Sequence, residues 1–226
     1  MLYMFMLYYS RKITIDKSII AGYNDYVVSD CEVSMEKSTR QMKKEQTKTA
    51  LLKTAYEVFS ARGIVNTRMS DIAETAGVSH GTVFLHFNTQ EELISEVVEF
   101  YCGKMAQRTH ELTDLGSSLR ELLSAHLDGI MEFEPFYTRL VIENRLLPTV
   151  ARDAWINLQS AIAFHFSQAV TREIKTCVPC DVLFNMWMGL THYYLANGDL
   201  FAPEGNVIRR YGTSLIENYL KLVNSQ

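Results

Sequence analysis

Thr47–Leu93, TKTALLKTAYEVFSARGIVNTRMSDIAETAGVSHGTVFLHFNTQEEL, is the stretch from which the rest of the chain is read. Leu51, Leu52, Ala55, Val58 and Phe59 recur at spacings of three and four, which makes one apolar stripe on a helix that Gly63 can end as a left-handed cap. Met69, Ile72, Ala73 and Ala76 repeat the helical period and stop at Gly77. A few residues later Ser79 is a good N-cap for a helix from Ser79 to Phe87, with Gly81 and Thr82 keeping its exposed face small. This is the spacing of a helix-turn-helix, and a small, polar first turn can approach base edges.

Gln46 to Leu93 resembles the TetR family of transcriptional regulators at Ala55, Phe59, Gly63, Asp71-Ile72-Ala73, Ala76-Gly77-Val78-Ser79, Gly81-Thr82, His86-Phe87 and Glu91-Glu92-Leu93. Dispersed positions agree at fixed spacing over about a fifth of the chain, and the remainder is similar only in its all-helical layout. The resemblance implies an all-α fold. A three-helix DNA-binding domain over 35–100, with its helix-turn-helix at about 68–87, would precede a larger helical effector-binding and dimerisation domain over 101–226. It also implies a homodimer formed through the last two helices, bound to a pseudo-palindromic operator in double-stranded DNA until a small-molecule effector releases it. No cofactor and no catalysis are implied.

Carried over position by position, the resemblance puts His80, Gly81 and Thr82 at the front of the recognition helix. Thr82 would bond a phosphate or a base edge, and His80 is the first candidate for sequence discrimination. Ser79 caps that helix, His86 would clamp a phosphate, and Thr67 and Ser70 would lie near the flanking DNA backbone. Three positions depart from the family pattern. Phe84 replaces a common Tyr and loses a hydroxyl, while Gln90 replaces a common Lys and loses a charge. Arg68 occupies the usual Ser or Thr capping site, so the cap is expected to pass to Thr67 and the guanidinium to restore a phosphate contact.

The 226 residues are 47% hydrophobic, enough to bury a substantial core. A net charge of -4 would argue against a nucleic-acid partner if it were uniform. It is not uniform: Lys37, Arg40, Lys43, Lys44 and Lys48 cluster at the entry to the first helix, where they could follow phosphates, whereas Glu91, Glu92, Glu96 and Glu99 mark the helix that leaves the motif. Met1 to Ser34 lacks helical periodicity and capping signals, so it reads as an extension or as a misassigned start, with translation beginning at Met35. The apolar opening is too short to span a bilayer and its basic residues follow it, unlike a signal peptide.

Beyond Leu93 the period continues through Val97, Val98, Tyr101 and Met105, giving a long connecting helix. Leu119, Leu122, Leu123, Leu127, Ile130 and Met131 make a helix that ends before Pro135, and a shorter one runs from Phe136 to Leu147. A long helix carries Ala151, Trp155, Leu158, Ile162 and Ala169, and stops by Pro179. Asp181–Asn197 is apolar nearly all round, and Ile208, Tyr211, Leu215, Tyr219 and Leu222 stripe the last helix. Those two helices need cover that a small body does not supply, and Gly189 and Gly212 are small sites for close approach by a second chain. The candidate effector pocket comprises Tyr101, Met105, His126, Trp155, His165 and Trp187, with the two histidines as polar anchors on apolar faces.

Four cysteines do not form a disulfide framework in a chain of this length, which points to a reducing cytoplasm. Cys177-Val178-Pro179-Cys180 supports an alternative, a redox-sensing regulator, because a thiol at a helix start is acidified. A thiol oxidoreductase is the remoter alternative, since it would need a strand before the motif and an α/β pattern around it. An inert loop pair is the expectation. No histidines stand at a metal-binding spacing, and no nucleophile triad, phosphate loop or paired carboxylate motif appears.

Overall fold

The computed structural model describes residues 39–113 and 116–224, and every regular element among them is helical. The reading of Met1 to Ser34 lies outside the described residues. Helix α1 spans Thr39–Arg62 and buries Leu51, Ala55, Val58 and Phe59. It ends at Gly63, whose φ of 96° only glycine adopts without strain. Helix α2, Met69–Ala76, buries Met69, Ile72 and Ala73, then turns at Gly77 (φ 66°), where the Val78 N–H reaches back to the Ala73 carbonyl at 3.0 Å. Helix α3 is short, His80–Phe84, and Phe87 beyond it is fully buried. Its last turn is taken up by the chain folding Phe87 into the core, so the expected helix to Phe87 ends early.

Helix α4, Gln90–Glu111, starts on a Thr89 cap and is continuous through residue 100, so the expected boundary between reader and body falls inside one helix. Helix α5, Leu119–Met131, opens with a capping box. The Ser118 hydroxyl accepts from the Glu121 N–H at 3.2 Å, and the Ser118 N–H donates to the Glu121 carboxylate at 2.7 Å. Helix α6 is Glu134–Glu143, with Pro135 inside its first turn, where a missing N–H costs nothing. The expected Phe136–Leu147 helix is therefore shifted towards its start, and a 3-10 turn at Asn144–Leu146 closes it. Helix α7 is Thr149–Glu173, α8 Cys180–Ala196, α9 Gly198–Phe201 and α10 Val207–Asn224.

In the body α4 packs on α7 and α5, α5 also meets α10, and α8 is held by α6, α7 and α10. Gly129 of α5 lets Thr109 of α4 come close enough that a Cβ would collide with its hydroxyl. On α10 the buried face is Val207, Ile208, Gly212, Leu215, Ile216, Tyr219, Leu220 and Val223, whereas Leu222, placed on the stripe from sequence, is 60% exposed. Residues 46–226 form one compact unit, and the described part of 1–45 is the opening of α1.

Candidate functional site

The polar turn of the helix-turn-helix stands on a dry base. Val83 and Phe87 are fully buried beside Ile72 and Met69, which fixes α3 while leaving His80 and Gly81 exposed on its first turn. Ser79 Oγ accepts from the Thr82 N–H at 3.1 Å, and the two hydroxyls lie 2.9 Å apart, so Thr82 is oriented by its own cap. The His80 imidazole meets the Phe84 ring edge-on at 4.8 Å, one turn along. Phe84 is therefore a brace for His80, a role the lost tyrosine hydroxyl did not suggest. Leu85, 76% exposed, extends this surface and was missed, since an apolar residue in a helical run reads as core. A Cβ at Gly81 would meet only Ser79 Oγ at 3.8 Å, so nothing in the chain itself requires glycine there.

Other positions expected from the sequence are differently occupied. Thr67 is buried and its hydroxyl donates to the Gly63 carbonyl at 2.6 Å, so it neither caps α2 nor faces outward. The cap is instead the reciprocal half of a capping box, in which the Arg68 N–H donates to the Asp71 carboxylate at 2.8 Å; the exposed guanidinium has no acceptor atom to offer. Gln90 spends its amide on the Thr67 carbonyl at 2.9 Å, tying the start of α4 to the entry of α2. Lys48 pairs with Glu96 at 2.6 Å and lies 5.4 Å from the Phe87 ring centre, so its charge is largely used within the fold. Ser70 is exposed on the first turn of α2, and His86 is half-buried next to Phe87. Arg40, Lys43 and Lys44 are exposed on the opening turns of α1.

The six pocket candidates separate into different neighbourhoods. Tyr101 stacks on Tyr56 of α1 at 3.9 Å with Phe133 and Phe136 at its edges. His165, half-buried, faces His110 at 6.0 Å, and burial followed by that neighbour's charge lowers its pKa. Met105 is fully buried in the core. His126 and Trp187 do meet: the indole Nε1–H donates to His126 Nδ1 at 3.0 Å. Trp155 belongs to a second polar group, Tyr137–His192–Gln159, which sequence reading missed. Its Tyr137 hydroxyl lies 3.0 Å from His192 Nε2 and accepts from the Gln159 amide at 3.3 Å, while the Trp155 ring packs on both Tyr137 and His192. Burial, with His192 a smaller cause, depresses the His126 pKa to about 3, and burial alone brings His192 to about 4, so both rings are neutral at physiological pH.

Helix α6 grips structure at both ends. The buried Glu134 carboxylate accepts the N–H groups of Val207 and Ile208 at 2.6 and 2.9 Å, which satisfies the first turn of α10. Burial raises its pKa, and the two amides oppose that shift. At the far end Glu143 accepts from Ile64 and Val65, both at 2.9 Å, and Arg139 donates to the carbonyls of Ser60 and Ala61 at the end of α1. A Cβ on Gly63 would lie 2.8 Å from Glu143 Oε1, a second reason for glycine at that position.

The sequence profile described as bacterial regulatory proteins of the tetR family matches residues 51–97, the helix-turn-helix and its flanking helices. The HTH-type transcriptional regulator AcrR of Shigella flexneri is 34% identical over 204 residues, covering 82% of this chain and 94% of that protein. The chain belongs to the TetR family. A match to the regulator TtgR of Pseudomonas putida is more local, 27% over 94 residues, and spans 39% of this chain and 45% of that one, less than half the relative's length. Among solved structures, the TetR-type fold is matched by FadR of Bacillus subtilis in complex with stearoyl-CoA, with a TM-score of 0.61 over 79% of this chain and 98% of that chain; at 18% identity this speaks for the fold alone.

In this TetR-family chain Cys180 lacks the acidified thiol that the redox alternative expected at the helix start. Cys102, Cys177 and Cys180 are free thiols, and burial, then the neighbouring Asp181, raises the pKa of Cys180 where the helix start was expected to lower it. Among the described residues no group of His, Cys, Asp and Glu is placed to hold a metal ion, and no helix is long and apolar enough to cross a membrane.

Proposed function

We propose that the chain is a dimeric, ligand-responsive repressor acting in the cytoplasm on a pseudo-palindromic operator. The observation that carries the DNA reading is the His80-Gly81-Thr82 turn, with His80 and Gly81 exposed and Thr82 half-buried, seated on buried Val83 and Phe87 and free of any internal need for glycine. His80 and Thr82 read base edges or phosphates, with Ser70, Arg68, Ser79, Phe84 and Leu85 on the adjoining surface. Lys48, Thr67 and Gln90 support the reader from behind. His86 remains a phosphate candidate beside Phe87.

The domain division is functional: 35–100 is the reader and 101–226 the effector and dimer body, coupled by α4 and by α6. Dimerisation through α8 and α10 is supported by a stripe on α8, where Val182, Met186 and Tyr193 are exposed at helical spacing and a Cβ on Gly189 would meet nothing. Gly212, by contrast, is closed off by Leu127 at 3.3 Å and belongs to intrachain packing. An effector in the body would shift the population towards a dimer whose readers no longer fit successive major grooves.

The test begins with duplexes selected on the protein from a random pool. Selected sites should be two-fold symmetric, and His80→Ala and Thr82→Ala should each weaken binding by about 1–3 kcal/mol while circular dichroism is unchanged. Failure to enrich any duplex, or full affinity in both variants, would refute the reading.

A further inference from the structure

The indole Nε1 of Trp187 is a donor without acceptor capacity, so the nitrogen it meets, His126 Nδ1, must be the lone-pair nitrogen. His126 is a neutral imidazole, and its proton therefore sits on Nε2. That N–H is fully buried and has no partner among the described residues. One helical turn along from Trp187 the Thr191 hydroxyl, on a residue 1% exposed, is also without a partner. Two unpaired polar groups in one small region are uncommon, since a buried donor left unmade costs about 1–3 kcal/mol and most such groups are paired.

The surroundings limit what can pair them. If the Gln159 amide donates to the Tyr137 oxygen, the phenolic hydrogen is left for His192 Nε2, and that network carries no charge. The buried carboxylates nearest along the chain, Glu134 and Glu143, are spent on backbone amides at the two ends of α6. The Trp187 ring meets His126 edge-on, and Thr191 is followed on α8 by His192, whose ring packs on Trp155 and Tyr137. With both imidazoles neutral, this cluster carries no charge of its own to set against a carboxylate, a phosphate or an ammonium, and a buried unpaired ion is costly.

We propose that His126 and Thr191 form the recognition point of the effector, and that the effector is an uncharged, mainly apolar molecule presenting an acceptor oxygen, such as a ketone, ester or quinone carbonyl, to the His126 Nε2–H. The Thr191 hydroxyl serves as a second, adaptable contact. Selectivity then comes from an asymmetry: a hydrocarbon of the same shape leaves the donor unmade, and an anion or cation arrives without a counter-charge. This inference rests on the reading of the chain as a ligand-responsive regulator, and deepens it by naming the ligand chemistry.

Three probes of similar size isolate the claim in the full-length protein: acetophenone, ethylbenzene and benzoate. Nitrogen NMR of the imidazoles should find His126 protonated on Nε2, and acetophenone should shift that proton downfield. By calorimetry or Trp fluorescence acetophenone should bind roughly tenfold more tightly than ethylbenzene, with benzoate weaker than both. Thr191→Val should reduce the preference, and His126→Phe should abolish it. Because the NMR arm uses the parent protein, a variant that does not fold leaves the test intact. Equal binding of ketone and hydrocarbon, no binding of any probe, or an Nε2 proton that only exchanges with water would overturn the proposal. Ketone binding without release of a selected duplex would instead keep the site and refute effector control.

Discussion

Glu143 offers the sharpest structural test, because one carboxylate oxygen holds two backbone amides 78 and 79 residues away in sequence. Each bond is charge-assisted, a type that contributes about 1.5–3 kcal/mol. In Glu143→Ala the Ile64 N–H, on a fully buried residue, loses its only acceptor, whereas half-buried Val65 can recover water. The expected loss is about 3 kcal/mol. Glu143→Gln keeps an acceptor oxygen but not the charge, and with neutral bonds about half as strong it should lose nearer 2 kcal/mol. Urea unfolding at fixed protomer concentration, with a slope of about 3 kcal/mol/M, would register these as midpoint shifts of roughly 1 M and roughly 0.7 M. Glu74→Ala, at an exposed position on α2, is the control and should change stability by less than about 0.5 kcal/mol. A Glu143→Ala midpoint matching that control would show that the α6 grip on residues 64 and 65 contributes nothing, and the coupling role assigned to it would fall.

Acid sensitivity follows from the two buried imidazoles. Their folded pKa values, about 3 for His126 and about 4 for His192, lie below the ordinary 6.5, so between those limits the unfolded chain holds protons that the folded one does not. Their stabilising contribution is complete above about pH 6.5 and declines as the pH falls, by up to about 1.4 kcal/mol per pH unit for each ring. His192→Phe should flatten the stability profile between about pH 6 and 4, and an unchanged slope would contradict the burial argument. Met186→Glu should place a charge on the exposed stripe of α8 and give a monomer by light scattering, unless the dimer forms elsewhere, in which case its mass will not change. Cys177→Ser with Cys180→Ser should leave both operator affinity and its response to peroxide as in the parent, whereas oxidant release that only the parent displays would restore the redox reading.

The reader was legible because its signals are local. Gly63, Gly77 and Ser79 each act on the residues beside them, and the stripe of Leu51, Ala55, Val58 and Phe59 repeats the period of a single helix. The uses of Thr67, Gln90 and Lys48 were not legible, since the partners of Gln90 and Lys48 lie on other elements, Thr67 turns back to the Gly63 carbonyl, and a polar residue near an exposed turn has many candidate partners. In the body the histidine on an apolar face pointed to His126, but which ring it would meet depends on how α5 packs against α8. Tyr137 and His192 are separated by 55 residues and carry no shared pattern. Glu134 and Glu143 resemble ordinary surface acids in sequence; only the packing of α6 turns them into caps for distant backbone.

Helix α6 unites these observations. Its ten residues extend about 15 Å, long enough to carry three attachments at distinct heights. Glu134 holds the start of α10, Tyr137 joins α8 and α7 through His192 and Gln159, and Arg139 with Glu143 holds the end of α1. Because close-packed helices shift as units and do not stretch, the proposed effector response would pass a displacement of α8 beside Trp187 to Tyr137 and then to both ends of the same rod. The Tyr56–Tyr101 stack gives α4 a second hold on α1, so the reader is suspended from two helices. On the proposed reading, a rotation of one relative to the other would re-aim His80 and Thr82 without unfolding either, the small, discrete change that a two-fold DNA reader could convert into loss of fit.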